Sequence, residues 1–469
     1  MENIDKPDES FRDSIATVNK KGKRVWIYPK KPKGKLTNAR SIVSVVLLLI
    51  LFITPFIKVN GRPFLLLNIL ERKFILFGMA FGPQDFYLFV LAMITVIIFI
   101  VLFTAIFGRI FCGWVCPQTV FMEMVFRKIE YWIEGDASHQ KQLDKAPLSA
   151  SKFFKKSVKH LLFYVISFVI GNTFLAYIIG IDELSKIVTA PPSEHLSLFI
   201  TIVLFSALFY FIFARFREQA CVIVCPYGRL QGVLLDQNSI VVAYDYVRGE
   251  PRKKIKRNEE RTAGDCIDCH LCVDVCPTGI DIRNGIQLEC VNCTACIDAC
   301  NAVMEKVNKP KGLIRYDSLK GIKEKTGRIF TPRVIAYSVL LLVLLSVIAV
   351  LMANRNDVEV NILRTPGLLY QELPDNKISN LYNIEIENKT FDTIPVDVKI
   401  LNMNGEIKVI GKKLSVDPQG VFETKFLLIF NKADLKDLNT PVLLGVYKDN
   451  VLIKTIKTSF LGIIKDDEK

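Results

Sequence analysis

CIDCHLCVDVCP (residues 266–277) and CVNCTACIDAC (residues 290–300) hold eight of the chain's 12 cysteines. Each run repeats the spacing C-x2-C-x2-C-x3-C, with Cys266, Cys269, Cys272 and Cys276 in the first and Cys290, Cys293, Cys296 and Cys300 in the second. Three thiolates on one tight loop can hold three irons of a cubane, which leaves the fourth iron to a cysteine from the other loop. The spacing therefore groups Cys266, Cys269 and Cys272 with Cys300 around one [4Fe-4S] cluster. It groups Cys290, Cys293 and Cys296 with Cys276 around a second.

Other uses of these thiols fit less well. A disulfide framework needs an oxidising compartment, and the charge pattern below places this segment in the cytoplasm. Zinc takes four ligands per site and does not account for a doubled, crossed ladder. CIDCH also spells the c-type haem attachment motif, but its letters all lie inside the ladder, so His270 is read as an ordinary position. The spacing is that of a bacterial two-cluster ferredoxin. One departure is visible: Pro277 follows Cys276, whereas Asn301 follows Cys300.

Outside the ladder the chain is apolar in long blocks. A formal charge of +14 on 469 residues would suggest nucleic acid for a soluble fold, yet 51% of the residues are hydrophobic. Blocks at Ile42–Ile57, Phe86–Phe107, Leu161–Ile181, Leu196–Phe213 and Val334–Ala353 each approach the about 20 residues a helix needs to cross a bilayer. These predict a five-helix membrane protein and exclude nucleic acid as the partner. Lysine and arginine number 11 before the first block, 9 between the second and third and 20 between the fourth and fifth, against 3 in residues 59–85 and 1 in residues 182–195. The positive-inside rule then places the N-terminus and the ladder in the cytoplasm and everything after residue 353 on the outer face.

The expected organisation is a basic cytoplasmic arm (1–40), read as a flexible topology determinant beside anionic headgroups, and a four-helix core (41–214). A cytoplasmic segment (215–333) follows, with the ferredoxin domain at about 257–305, then a fifth helix (334–353) and an outer tail (354–469). Residues 63–81, around Glu71, Arg72 and Lys73, are too interrupted to span and read as an interfacial segment. In the tail, Tyr382, Ile384 and Ile386 alternate with polar residues, as do Ile394, Val396, Val398 and Ile400. That period predicts a small antiparallel sandwich, with Asn404-Gly405 as a tight hairpin turn. The tail lacks cysteine and catalytic pairings, so it reads as an interaction module.

The other four cysteines come in two copies of CxxxCP, Cys112 and Cys116 after the second block and Cys221 and Cys225 after the fourth. Two related hairpins would deliver all four thiols to one membrane face. Cysteines four apart share a helix face, and the following proline disfavours helix at the second, so each pair belongs at a helix end or kink. Nearby Arg109, Arg215, Arg217 and Arg229 favour the thiolate form that binds metals. Four soft ligands suit Cu(I), a further iron-sulfur centre, zinc or a redox dithiol. No dinucleotide-binding glycine loop is present, so electrons must come from another protein or from quinol.

GRIFCGWVCPQT, ACVIVCPYGRLQ, YDYVRGEPR and the ladder, with RVWIYP in the arm and GPQDFY before the second block, resemble the FixG family of cytochrome c oxidase accessory proteins. The family is also called CcoG and occurs in bacteria that build cbb3-type oxidases. The resemblance covers nearly the whole chain and is weakest in the tail. It implies a bacterial inner-membrane protein with two [4Fe-4S] clusters and an immunoglobulin-like outer domain. Its implied role is to reduce Cu(II) to Cu(I) for oxidase assembly, with assembly factors or copper chaperones as partners and Cys112, Cys116, Cys221 and Cys225 handling copper. Two rivals share these residues. One is a polyferredoxin subunit relaying electrons from quinol or a soluble donor to a respiratory reductase, and the other an assembly scaffold whose clusters stabilise or sense.

Overall fold

A computed structural model describes residues 16–462 apart from positions 20, 60, 70–72, 83–84, 192, 194–195, 255–262, 327–328, 357, 368, 375, 412–413, 419, 436 and 449. Glu71, Arg72 and the first part of the arm lie outside the described residues. Among the described residues, five helices are long and apolar enough to cross a membrane: Lys35–Phe56, Phe86–Phe107, Ala150–Ile179, Leu196–Phe216 and Pro332–Ala353. The third starts at Ala150 rather than Leu161. Ser149 caps it by accepting a hydrogen bond from Lys152 N, and its basic first turns find partners, Lys159 reaching Glu134 at 2.9 Å. A lysine paired in this way extends a helix that hydropathy alone would cut short.

The chain divides into two compact units, residues 1–57 with 90–347, and residues 58–89 with 348–469. In the first unit the arm is packed rather than loose over residues 21–34. Trp26 lies between the guanidinium groups of Arg24 and Arg217, 4.4 and 4.8 Å from its ring centroid. Lys30 N donates to Asp274 O inside the ladder at 2.7 Å, and Asp298 accepts from Leu36 N and Thr37 N at the start of the first membrane helix. The rings of RVWIYP supply burial that a purely basic arm lacks. A strand pair, Val241–Tyr244 antiparallel to Ile314–Asp317, brackets the ladder.

In the second unit, the segment expected at the membrane interface holds short strands between Lys58 and Phe81. Leu65–Asn68, Lys73–Leu76 and Met79–Phe81 form a three-stranded antiparallel sheet. Gly78, at φ +77°, makes its tight turn. The tail is the expected two-sheet sandwich, with Lys377–Asn388 and Val421–Asn431 central in one sheet and Ile394–Ile400 and Asn439–Lys448 central in the other. Tyr382, Ile384, Ile386, Ile394, Val396 and Val398 all point into its core. Asn404-Gly405 is not a hairpin: Ile394–Ile400 pairs in one sheet and Glu406–Ile410 in the other. The chain crosses between layers there, and Gly405 is required because a Cβ would overlap the Phe430 ring. A two-residue hairpin joins Lys448 to Val451 instead, with Asn450 at φ +64°.

Candidate metal centres

The two ladder loops fold alike. Asp268 and His270 in the first, and Asn292 and Thr294 in the second, have φ between +52° and +66° and flank Cys269 and Cys293, the second cysteine of each loop, on both sides. Alternation into the left-handed region turns successive N–H groups inward, the nest geometry that suits anionic sulfur. Strain at a β-branched residue such as Thr294 persists only where the surroundings enforce it, and this residue is fully buried. The loops differ after the last cysteine. Asn301 lets the second helix run 12 residues, Ala295–Lys306, and its Oδ1 accepts from Gly312 N at 2.9 Å. A proline there would remove a helical N–H.

The eight thiols surround two cavities, one lined by Cys266, Cys269, Cys272 and Cys300, the other by Cys276, Cys290, Cys293, Cys296 and Cys272. Helix Ala295–Lys306 feeds both, sending Cys296 to one and Cys300 to the other. Burial, reinforced by neighbouring thiols, pushes Cys272, Cys290 and Cys300 up to about 12. Thiols held so close stay protonated until a cation arrives, so loading with iron must release protons. The donor set, the nests and the cavities fit [4Fe-4S] clusters. Sequence reading missed Arg283. Its side chain is 4% exposed, lines the first cavity, and joins Asp268, Asp281 and His270 Nδ1 at 2.6, 2.6 and 2.9 Å.

The two CxxxCP motifs meet within the same unit. Phe111 and Tyr227 stack edge to face at 6.2 Å, Arg109 Nε donates to Gln231 Oε1 at 2.9 Å, and Cys112 Sγ reaches the same oxygen at 3.2 Å. Gly228 is pressed between Arg109 and Cys221, where a Cβ would lie 2.9 Å from Arg109 Nη2 and from Cys221 O. Cys116 and Cys225 are each the N-cap of a helix that opens on proline. Cys112 and Cys221 sit in the short helical segments before the breaks, Ile110–Trp114 and Ala220–Val224.

Of the arginines expected to favour thiolates, Arg109 lies beside Cys112 and pulls its thiol down, but Arg217 is engaged elsewhere. Arg217 donates twice to Glu130, at 2.6 and 2.9 Å, instead of facing the thiols. Burial pushes Cys221 up to about 12, helped by Cys116 and Cys112, and raises Cys112 despite Arg109 beside it. Desolvation wins over one guanidinium because the pocket is dry and the thiols repel one another as anions. Among the described residues, no three His, Cys, Asp or Glu side chains are set to hold a single metal ion.

The motif also touches the ladder. Cys112 packs in one apolar cluster with Val275, Val291, Cys293 and Ala295. Gly113 admits the second loop: a Cβ there would overlap Val291 O and lie 2.8 Å from Asn292 O. Arg40 Nε donates to Gly113 O at 2.6 Å, and Trp114 Nε1 to Tyr316 Oη, which donates to Asn292 O.

Three family models match the chain: a 4Fe-4S dicluster domain over residues 216–319, a 4Fe-4S binding domain over residues 89–135, and the Ig-like fold at the C-terminus of FixG over residues 348–463. Protein RdxB of Cereibacter sphaeroides is 34% identical over 385 residues, 78% of this chain and 80% of that protein. Protein RdxA of the same organism is 36% identical over 383 residues, with the same coverage of 78% and 80%. Nitrogen fixation protein FixG of Rhizobium meliloti is 35% identical over 309 residues, 63% of this chain and 58% of that protein.

Proposed function

The chain belongs to the FixG family of membrane iron-sulfur proteins, and from that premise we propose that it reduces Cu(II) to Cu(I) in support of copper delivery to, and assembly of, a cbb3-type cytochrome c oxidase. Two [4Fe-4S] clusters, held by Cys266, Cys269, Cys272 and Cys300 and by Cys290, Cys293, Cys296 and Cys276, supply one-electron chemistry when bound. Each Cu(II) takes one electron. A quinol donor serves two such ions and releases two protons, while a soluble redox protein serves one per encounter.

The observation that carries this reading is a path with two unlike ends. Cys269 and His270 are exposed, on the side a donor protein can reach. Cys293 is buried against Cys112, and Gly113 lets the two loops touch backbone to backbone. Electrons therefore have an accessible entry and a packed exit leading to Cys112, Cys116, Cys221 and Cys225 at the membrane edge. Soft thiolates there favour the reduced ion over Cu(II). We place the N-terminus and ladder in the cytoplasm and the tail in the periplasm of a bacterial inner membrane, on the lysine and arginine asymmetry.

The test is anaerobic. Dithionite-reduced protein is mixed with Cu(II) in a stopped-flow cell beside a Cu(I)-specific chelator. Cluster reoxidation matched electron for electron by Cu(I) supports the proposal. Reduced clusters that ignore Cu(II) but pass electrons to a respiratory reductase would favour the relay. Clusters inert to both would leave a scaffold.

A further inference from the structure

We propose that Cys112, Cys116, Cys221 and Cys225 together hold a third [4Fe-4S] cluster at the junction of the two helical hairpins. The proposal rests on the electron-transfer reading of this site and replaces its copper-ligating role: the four thiols would hold a cluster that hands the electron on, and Cu(II) would be reduced at that cluster without being ligated by them.

Convergence is the first support. Cys112 Sγ lies 3.2 Å from Gln231, which follows the other motif, and the Thr119 hydroxyl of the first motif acts on the Cys221 thiol of the second. Each half contributes one thiol before a helix break, buried at Cys112 and half-buried at Cys221, and a second thiol at the N-cap of the next helix. Neither cap makes a side-chain hydrogen bond, and each following helix opens on a proline, Pro117 or Pro226, so the two halves reach the thiols with the same backbone geometry.

The second support is a buried donor without an acceptor. Gln231 is fully buried and its Nε2 has no hydrogen-bond partner. Buried polar groups are rarely left so. A bare Cu(I) or zinc ion offers it nothing, whereas bridging sulfides accept N–H hydrogen bonds, and such bonds tune cluster potentials.

The family comparison points the same way. The match to a 4Fe-4S binding domain covers residues 89–135, which contain just two cysteines, Cys112 and Cys116. Cys221 and Cys225 supply the missing pair.

Full-length protein purified anaerobically, then reconstituted with ferrous iron and sulfide, should contain about twelve irons and about twelve acid-labile sulfides per chain. Cys112→Ser with Cys116→Ser, and separately Cys221→Ser with Cys225→Ser, should each bring both counts to about eight while the ladder's EPR signals persist, which also shows that the variants fold. Gln231→Leu keeps all four thiols; it should retain the iron and alter the EPR signal of this one cluster. About eight irons in the unaltered protein, or stoichiometric copper or zinc removed by the serine variants, would overturn the proposal. Mössbauer areas from the unaltered protein decide the matter if both double variants fail to fold. Twelve irons with no reduction of Cu(II) would sink the copper reading alone, and eight irons with rapid reduction would sink this one alone.

Discussion

Asp85 stands one residue before the second membrane helix and is 2% exposed, yet it is charged. Arg355 Nη2 and Lys389 Nζ both reach it at 2.7 Å, and Lys389 also meets Glu359 at 2.8 Å. Burial raises the Asp85 carboxyl, but the hydrogen bonds from Arg355 and Lys389 outweigh it and hold the group below its ordinary value. Because the folded value is depressed, the stabilisation is fully present above the unfolded carboxylate pKa of about 4. It is lost as pH falls through the lower folded value. Asp85→Asn leaves two buried cations short of a partner and should cost about 3–5 kcal/mol. Thermal melts of the detergent-solubilised protein at pH 7 should show the loss, and the gap between the two proteins should shrink as pH drops below 4. Equal melting at pH 7 would mean the ion pairs carry no net stability. Nothing near Asp85 in sequence announces its partners, which come from about 270 and 300 residues away. Arg283 was hidden for a related reason: it looks like any surface arginine until the fold brings Asp268 beside it.

At the scale of elements, one helix does the sorting. Ala295–Lys306 starts at the second loop and places Cys296 and Cys300 one turn apart, facing different cavities. Cys300→Ala should therefore remove iron from the group of Cys266, Cys269 and Cys272 and spare the group of Cys290, Cys293 and Cys296. EPR of the reduced variant, with iron analysis, distinguishes the two. Loss confined to the Cys290 group would mean that each loop closes its own cluster. This crossing was legible from spacing because three thiolates per loop and a fourth from elsewhere is a local rule. The turn at Asn404-Gly405 was misread for the opposite reason. The same pair of residues serves a tight turn or a close approach, and only the Phe430 ring decides which.

For the molecule as a whole, orientation is the property most open to test. Lysine and arginine crowd the arm, the 108–160 segment and the ladder segment, so a reporter fused after Lys311 should be active only as a cytoplasmic reporter. One fused after Lys448 should be active only as a periplasmic one. Alkaline phosphatase activity at Lys311, or none at Lys448, would break the five-span topology. The sequence by itself determined what depends on local patterning: five apolar helices, the doubled ladder, the paired CxxxCP breaks and the period-two tail. Spacing and periodicity act within a few residues, and the chain carries them wherever it folds. Tertiary structure alone decided that residues 21–34 bind the ladder rather than lie loose, and that short strands form between Lys58 and Phe81. It also decided that Gly113 admits the second cluster loop and that burial outweighs arginine at the Cys112 and Cys221 thiols. Those outcomes depend on which surfaces meet and how much water is excluded between groups far apart in sequence, and no local pattern encodes that.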